Sequence, residues 1–153
     1  TMVPNKLVKQ SIENSLIKEL AGFTKVKAEV KTSEHTRLDL LLENDAQEKC
    51  YVEIKNCTFI EDGVAMFPDA VTTRGQKHLD ELCKLVTMGH RAVIFYLIQR
   101  MDAKTFKPAE MIDKTYAEKL RKSKEKGVQI IARDTFITPR EIRIRNTVPV
   151  QLF

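Results

Sequence analysis

Polar and apolar positions along the chain change period several times, and each change marks an element. Between residues 4 and 20, Leu7, Val8, Ile12, Leu16, Ile17 and Leu20 recur three or four apart. "PNKLVKQSIENSLIKEL" therefore predicts one amphipathic helix, opened by Pro4 and closed at Ala21-Gly22. "KVKAEVK" (25–31) then alternates with period two, and "TRLDLLLE" (36–43) sets Leu38, Leu40 and Leu42 on one face. Past the polar turn "ENDAQEK", the stretch "CYVEIKN" (50–56) alternates again, Val52 and Ile54 on one side and Tyr51, Glu53 and Lys55 on the other. Three strands joined by short links predict an antiparallel meander.

A loop with Gly63 and Pro68 follows, and "TTRGQKHLDELCKLVTMG" (72–89) predicts a second helix with Leu79, Leu82, Cys83 and Val86 inward and Gly89 as its stop. "RAVIFYLIQ" (91–99) is nearly all apolar, the mark of a central strand covered on both faces. A third helix (113–127, ended by Gly127) and strands at 128–134 and 140–145 complete the order αβββαβαββ. The expected fold is α/β (α+β), a mixed central sheet flanked by helices on both sides.

With 153 residues, 42% hydrophobic and 31% charged, the chain has the material for a single domain with its own core. Its longest apolar run, "AVIFYLI" (92–98), is too short to cross a bilayer, so the expectation is a cytoplasmic protein with no membrane segment. Cys50, Cys57 and Cys83 are odd in number and lack C-x-x-C spacing, which predicts reduced thiols in place of zinc or disulfides. A net charge of +5 fits a polyanionic partner, as it fits many plain domains. The abrupt opening "TMVPNK", with Thr before Met, suggests that a preceding domain is absent.

The chemistry gathers in the second and third strands. Asp39 is placed opposite the leucine face, and Glu53 and Lys55 fall on the non-core parity of the next strand. In a hairpin pairing the two carboxylates converge beside the lysine. Such a pair suits Mg²⁺ or Mn²⁺, with waters and substrate phosphate filling the remaining positions, and Lys55 would orient a water or neutralise the transition state. A second E-x-K, Glu29-Val30-Lys31, has no aspartate upstream, so only Glu53-Ile54-Lys55 completes a D…E-x-K arrangement. Residue types alone leave a solvated strand face as the competing reading.

A longer stretch bears on that choice. "FPDAVTTRGQKHLDEL" (67–82), after "RLDLLLEN" and "YVEIKNCTF", resembles the sugar fermentation stimulation protein family, and the resemblance runs from "PNKLV" to the terminal "VPVQLF". It implies a restriction-endonuclease-like PD-(D/E)xK core, DNA binding, and a suspected regulatory role in sugar metabolism. It also implies an N-terminal OB-like domain that nothing here matches. Two functions follow from it: a metal-dependent DNA phosphodiesterase, or a non-catalytic DNA-binding regulator that keeps the nuclease fold. Carried onto this chain, the motif falls on Asp39, Glu53 and Lys55; the literal Pro68-Asp69 follows E-x-K instead of preceding it. Glu13 and Glu19 are available as a further acid on the first helix, but Gln10 stands where the family pattern expects one, a departure that weakens the predicted metal site.

On the second helix, Gly75 and Gln76 project inward with Leu79 and Cys83, while Arg74 and Lys77 project away. Gln76 is either half of a capping box with Thr73 or a neighbour of the metal site. Arg74, Lys77 and His78 cluster near the helix start as candidate phosphate ligands. The aromatic residues follow core patterns and form no base-stacking platform, so the expected partner is DNA held mainly through phosphate, with little sequence preference. A homodimer is left open.

Overall fold

The computed structural model describes residues 2–153. Helix α1 (Met2–Glu13) is shorter than the sequence period predicts. It closes at Ser15, which takes the left-handed position (φ 58°) that glycine usually fills. The Ser15 N–H donates to Ile12 O at 3.0 Å and the Leu16 N–H to Ser11 O at 2.9 Å. Leu16 is left exposed, while Ile17 and Leu20 return to the core through a 3₁₀ turn, Lys18–Leu20. Because a 3₁₀ turn repeats every three residues, the apolar spacing survives the break and hides it.

The meander forms as expected from β1 (Lys25–Ser33), β2 (Thr36–Glu43) and β3 (Lys49–Cys57), antiparallel throughout. The next segment, predicted as a loop, is a hairpin of β4 (Phe59–Glu61) and β5 (Val64–Phe67). Its two-residue turn is Asp62-Gly63, with φ of 50° and 79°, the double positive φ that asparagine, aspartate and glycine tolerate best. Helix α2 (Thr73–Thr87) leads into β6 (Arg91–Ile98), which lies parallel to β3. After β7 (Thr105–Pro108) and α3 (Lys114–Lys126), the chain ends in β8 (Gln129–Ile137) and β9 (Ile142–Thr147). The main sheet has the order β1-β2-β3-β6-β8-β9, and a small second sheet has the order β4-β5-β7.

Two cores sandwich the main sheet. Val8 and Ile12 of α1 pack on Leu40, Leu42, Val52, Val93 and Phe95. Leu79, Leu82 and Leu85 of α2, with Tyr116 and Leu120 of α3, pack on the other face. Past its exposed first residue, Arg91, strand β6 is apolar because Ile94 and Tyr96 serve one core while Val93 and Phe95 serve the other. Tyr96 and Tyr116 are fully buried and satisfy each other's hydroxyls. The cysteines are unbridged, and burial pushes the Cys50 thiol up to about 11 and the Cys57 thiol up to about 12. Among the described residues, no helix is long and apolar enough to cross a membrane.

Candidate functional site

The ladder between β2 and β3 runs from Glu43 opposite Lys49 to Leu40 opposite Val52 and stops there. One step further the partners are Asp39 and Glu53, and their side chains take over the main-chain groups. Glu53 Oε1 accepts from the Asp39 N–H at 3.1 Å, and Asp39 Oδ2 accepts from the Ile54 N–H at 2.8 Å. Asp39 Oδ1 accepts from the Asn5 amide of α1 at 3.0 Å. The carboxylates thus hold the strands together where the ladder has parted.

Strand β1 is irregular at the same level. Glu29 lies between the pairs Ala28–Leu40 and Val30–Leu38, level with Asp39, at a φ of 55°. A left-handed glutamate inside a strand is strained. The expected common face of Leu38, Leu40 and Leu42 is broken here: Leu38 joins the α2-side core with Leu41, while Leu40 and Leu42 join the α1-side core.

Glu53 and Lys55 do occupy the parity opposite Val52 and Ile54, but that face is not solvated. Helix α2 covers it and brings His78, 5% exposed, against Glu53, 4% exposed. Glu53 Oε2 lies 3.2 Å from Lys55 Nζ and 2.7 Å from His78 Nδ1. Lys55 Nζ and His78 Nδ1 are themselves 2.8 Å apart. Nδ1 donates to the carboxylate in one tautomer and accepts from the Lys55 ammonium in the other.

The two carboxylates feel opposite fields. Burial and the neighbouring charge of Glu53 push Asp39 up to about 6, against the pull of the Ile54 N–H and Lys55. Burial also works against the Glu53 anion, but the His78 hydrogen bond and the Lys55 and His78 charges outweigh it and hold its carboxyl below the usual range.

The other residues singled out in the sequence fall into place as follows. Arg74 and Lys77 are exposed at the start of α2. His78 does not stand with them at the surface; it is buried in the trio. Gln76 reaches neither Asp39 nor Glu53. Its amide donates to Asp113 Oδ1 and Oδ2 at 3.0 and 3.1 Å. The cap of α2 is Thr72, whose hydroxyl accepts from the Gly75 N–H at 2.9 Å, and not the expected Thr73 with Gln76. Asp69 is exposed. Gln10 and Glu13 point to solvent, Glu13 pairing with Lys9 at 3.2 Å, and Glu19 lies 3.7 Å from Arg133.

Two residues were missed. Asn5, five residues nearer the start of α1 than Gln10, is the helix residue that meets Asp39. Asp113 caps α3 through the Tyr116 N–H at 3.0 Å and also accepts from the Thr72 N–H at 2.9 Å, so one carboxylate fastens the starts of both helices. Gly75 allows that close approach, since a Cβ there would lie 2.8 Å from Thr72 Cγ2 and 3.2 Å from Tyr116 Cε2.

The donor set fits a hard divalent cation. Asp39 and Glu53 offer hard anionic oxygens on adjacent strands, and the raised Asp39 carboxyl marks negative charge that a cation would relieve. Among the described residues no three His, Cys, Asp or Glu side chains form a metal-holding group, so a cation here would need water, main-chain or substrate oxygens besides the two carboxylates.

A family model described as "Sugar fermentation stimulation protein RE domain" matches residues 2–141. The chain belongs to the sugar fermentation stimulation protein family. The family member from Pelobacter propionicus is 46% identical over 152 residues, covering 99% of this chain and 66% of that protein. The one from Geobacter sulfurreducens is 45% identical over 150 residues, covering 98% and 64%. Among solved structures, Pyrococcus furiosus SfsA in complex with Ca²⁺ superposes with a TM-score of 0.91 at 34% identity, over 98% of this chain and 64% of that one. The chain thus spans a little under two thirds of that protein's length.

Proposed function

We propose that this domain binds DNA and hydrolyses phosphodiester bonds with a divalent cation, Mg²⁺ or Mn²⁺, held by Asp39 and Glu53. The observation that carries the reading is the break in the β2–β3 ladder, where two carboxylates and a lysine meet over two adjacent strands. The Ca²⁺ complex of the Pyrococcus furiosus relative supports a hard-cation site in the family. When bound, the cation would supply Lewis acidity toward a phosphate oxygen and lower the pKa of a bound water. Lys55 orients the attacking water and balances the charge that builds on the phosphoryl oxygens. Water adds to phosphorus and releases a proton to solvent, the ester P–O bond breaks, and the leaving oxygen takes up a proton from solvent. His78 positions both Glu53 and Lys55 for this work.

A second reading rests on a specific observation as well. Glu53 is already paired with Lys55 and within hydrogen-bond reach of His78, and α1 brings an amide, Asn5, to Asp39 where an acid would strengthen the site. A DNA-binding regulator of sugar-metabolism genes that keeps the fold without cutting accounts for both.

Plasmid DNA incubated with Mg²⁺ or Mn²⁺, alongside a Lys55→Ala variant, separates them. Cleavage by the wild type and none by the variant supports catalysis. Binding without cleavage in either metal sinks the enzyme. A rise in melting temperature with cation, absent in Asp39→Asn, reports the metal site independently of cutting.

A further inference from the structure

The β1–β2 hairpin carries a feature that its own stability does not explain. Lys31 and Arg37 are direct cross-strand partners near its tip, and both are exposed. Like charges placed opposite each other on antiparallel strands repel and destabilise the pair. At the other end of the same hairpin, Lys27 is neutralised by Glu43 at 3.1 Å. Lys31 and Arg37 have no such partner: among the described residues neither makes an ion pair or a side-chain hydrogen bond within the protein.

These two cations face two more. The hairpin tip and the start of α2 enclose an open groove of about 540 Å³ lined by Lys31, Arg37, Arg74 and Lys77, with His78 at its inner side. Arg74 and Lys77 are also exposed and, among the described residues, unpaired. The one acid on the groove, Glu34, is 85% exposed and lies 3.9 Å from His35. No Phe, Tyr or Trp lines it, so it offers charge without stacking surfaces. Through His78 the groove reaches Glu53 and Lys55.

We propose that the tip of the β1–β2 hairpin, through Lys31 and Arg37, grips the phosphate backbone of DNA against Arg74 and Lys77 of α2, beside the Glu53 site. This rests on the DNA-binding reading above and adds the hairpin to it as a clamp that reads no bases. The like-charge pair is kept because the polyanion neutralises it: the free protein bears the repulsion and the complex relieves it.

The test measures binding of a fluorescent 20-base-pair DNA duplex of arbitrary sequence across a salt series, in EDTA and in Ca²⁺. The proteins are the wild type, Lys31→Thr/Arg37→Thr, Arg74→Ala/Lys77→Ala, and a control, Lys84→Ala/Lys122→Ala, on the α2–α3 face. Each groove pair is expected to weaken binding about tenfold or more and to flatten the log–log salt slope by about 2, near 0.9 per lost phosphate contact, with the control within about twofold of wild type. The hairpin variant should also melt at or above the wild-type temperature, because it removes a repulsion while losing affinity. A hairpin variant that binds like the wild type overturns the clamp while the DNA-binding reading stands. Equal loss in the control overturns it too, since the charge is then diffuse. If the wild type binds no duplex in either buffer, the DNA-binding reading fails and the clamp with it.

Discussion

Asp39 and Glu53 are joined through each other's strands: Glu53 takes the Asp39 N–H, and Asp39 takes the N–H of Ile54, the residue after Glu53. Each carboxylate therefore replaces a ladder hydrogen bond, and neither can leave without freeing a main-chain donor. Their protonation states are also linked, because the Glu53 anion is one of the causes that raise Asp39.

The raised Asp39 fixes the sign of a pH effect. Between its ordinary value of 3.8 and the folded value of about 6, the native state holds a proton that the unfolded chain has released. The contribution of Asp39 is thus absent below that window and destabilising above it, so stability falls as pH rises through it. Urea denaturation of metal-free protein at pH 4 and pH 7.5 should show Asp39→Asn gaining about 1–3 kcal/mol relative to wild type at the higher pH. An equal difference at both pH values refutes the assignment.

Glu53 works in the opposite direction. Its folded pKa lies below the ordinary 4.5, so its stabilisation is complete above that value and is lost as pH falls through the folded one. Glu53→Ala strands the largely buried Lys55 ammonium and should cost about 3–5 kcal/mol at neutral pH. Glu53→Ala/Lys55→Met should recover a large part of that loss. Chemical denaturation of the three proteins decides it.

Gln76 and Asp113 test where the inward glutamine belongs. Asp113→Ala removes the acceptor for the Thr72 and Tyr116 N–H groups and should cost about 2–3 kcal/mol. Gln76→Ala should cost about 1 kcal/mol and leave the cation-induced rise in melting temperature intact. Loss of that rise in Gln76→Ala would place the residue at the metal after all.

Gly75→Ala sets helix propensity against packing. Alanine is favoured in a helix interior by about 1 kcal/mol. Here, however, the new methyl would sit 2.8 Å from Thr72 Cγ2, and overpacking costs about 1–3 kcal/mol. The contact lies at a capping residue fixed by its own hydrogen bond, so the clash wins and thermal melting should show net destabilisation.

The sheet and its central strand were legible because period-two alternation and a long apolar run mark strands, and Asp39 meets Glu53 because the hairpin pairing sets them level. The hairpin at Asp62-Gly63 reads as a loop in the sequence, because β4 and β5 span only three and four residues, too short for alternation to show. The break in α1 at Ser15 hid behind an apolar spacing that a 3₁₀ turn preserves. Burial of His78 could not be read from the strand, because the face that looked polar along β3 is covered by a helix more than fifteen residues away in sequence. Asn5 and Asp113 form tertiary hydrogen bonds 34 and 41 residues long, which no local pattern announces.

The fastening of two helix starts by Asp113 has a consequence for the order in which the molecule matures. Asn5, Asp39, Glu53, Lys55 and His78 all precede α3 in the chain, and the carboxylate that pins the start of α2 is made 41 residues after Thr72. A nascent chain carries the chemistry before it carries the brace that sets Arg74 and Lys77 in place. The proposed grip on a polyanion therefore has to await the synthesis and docking of α3.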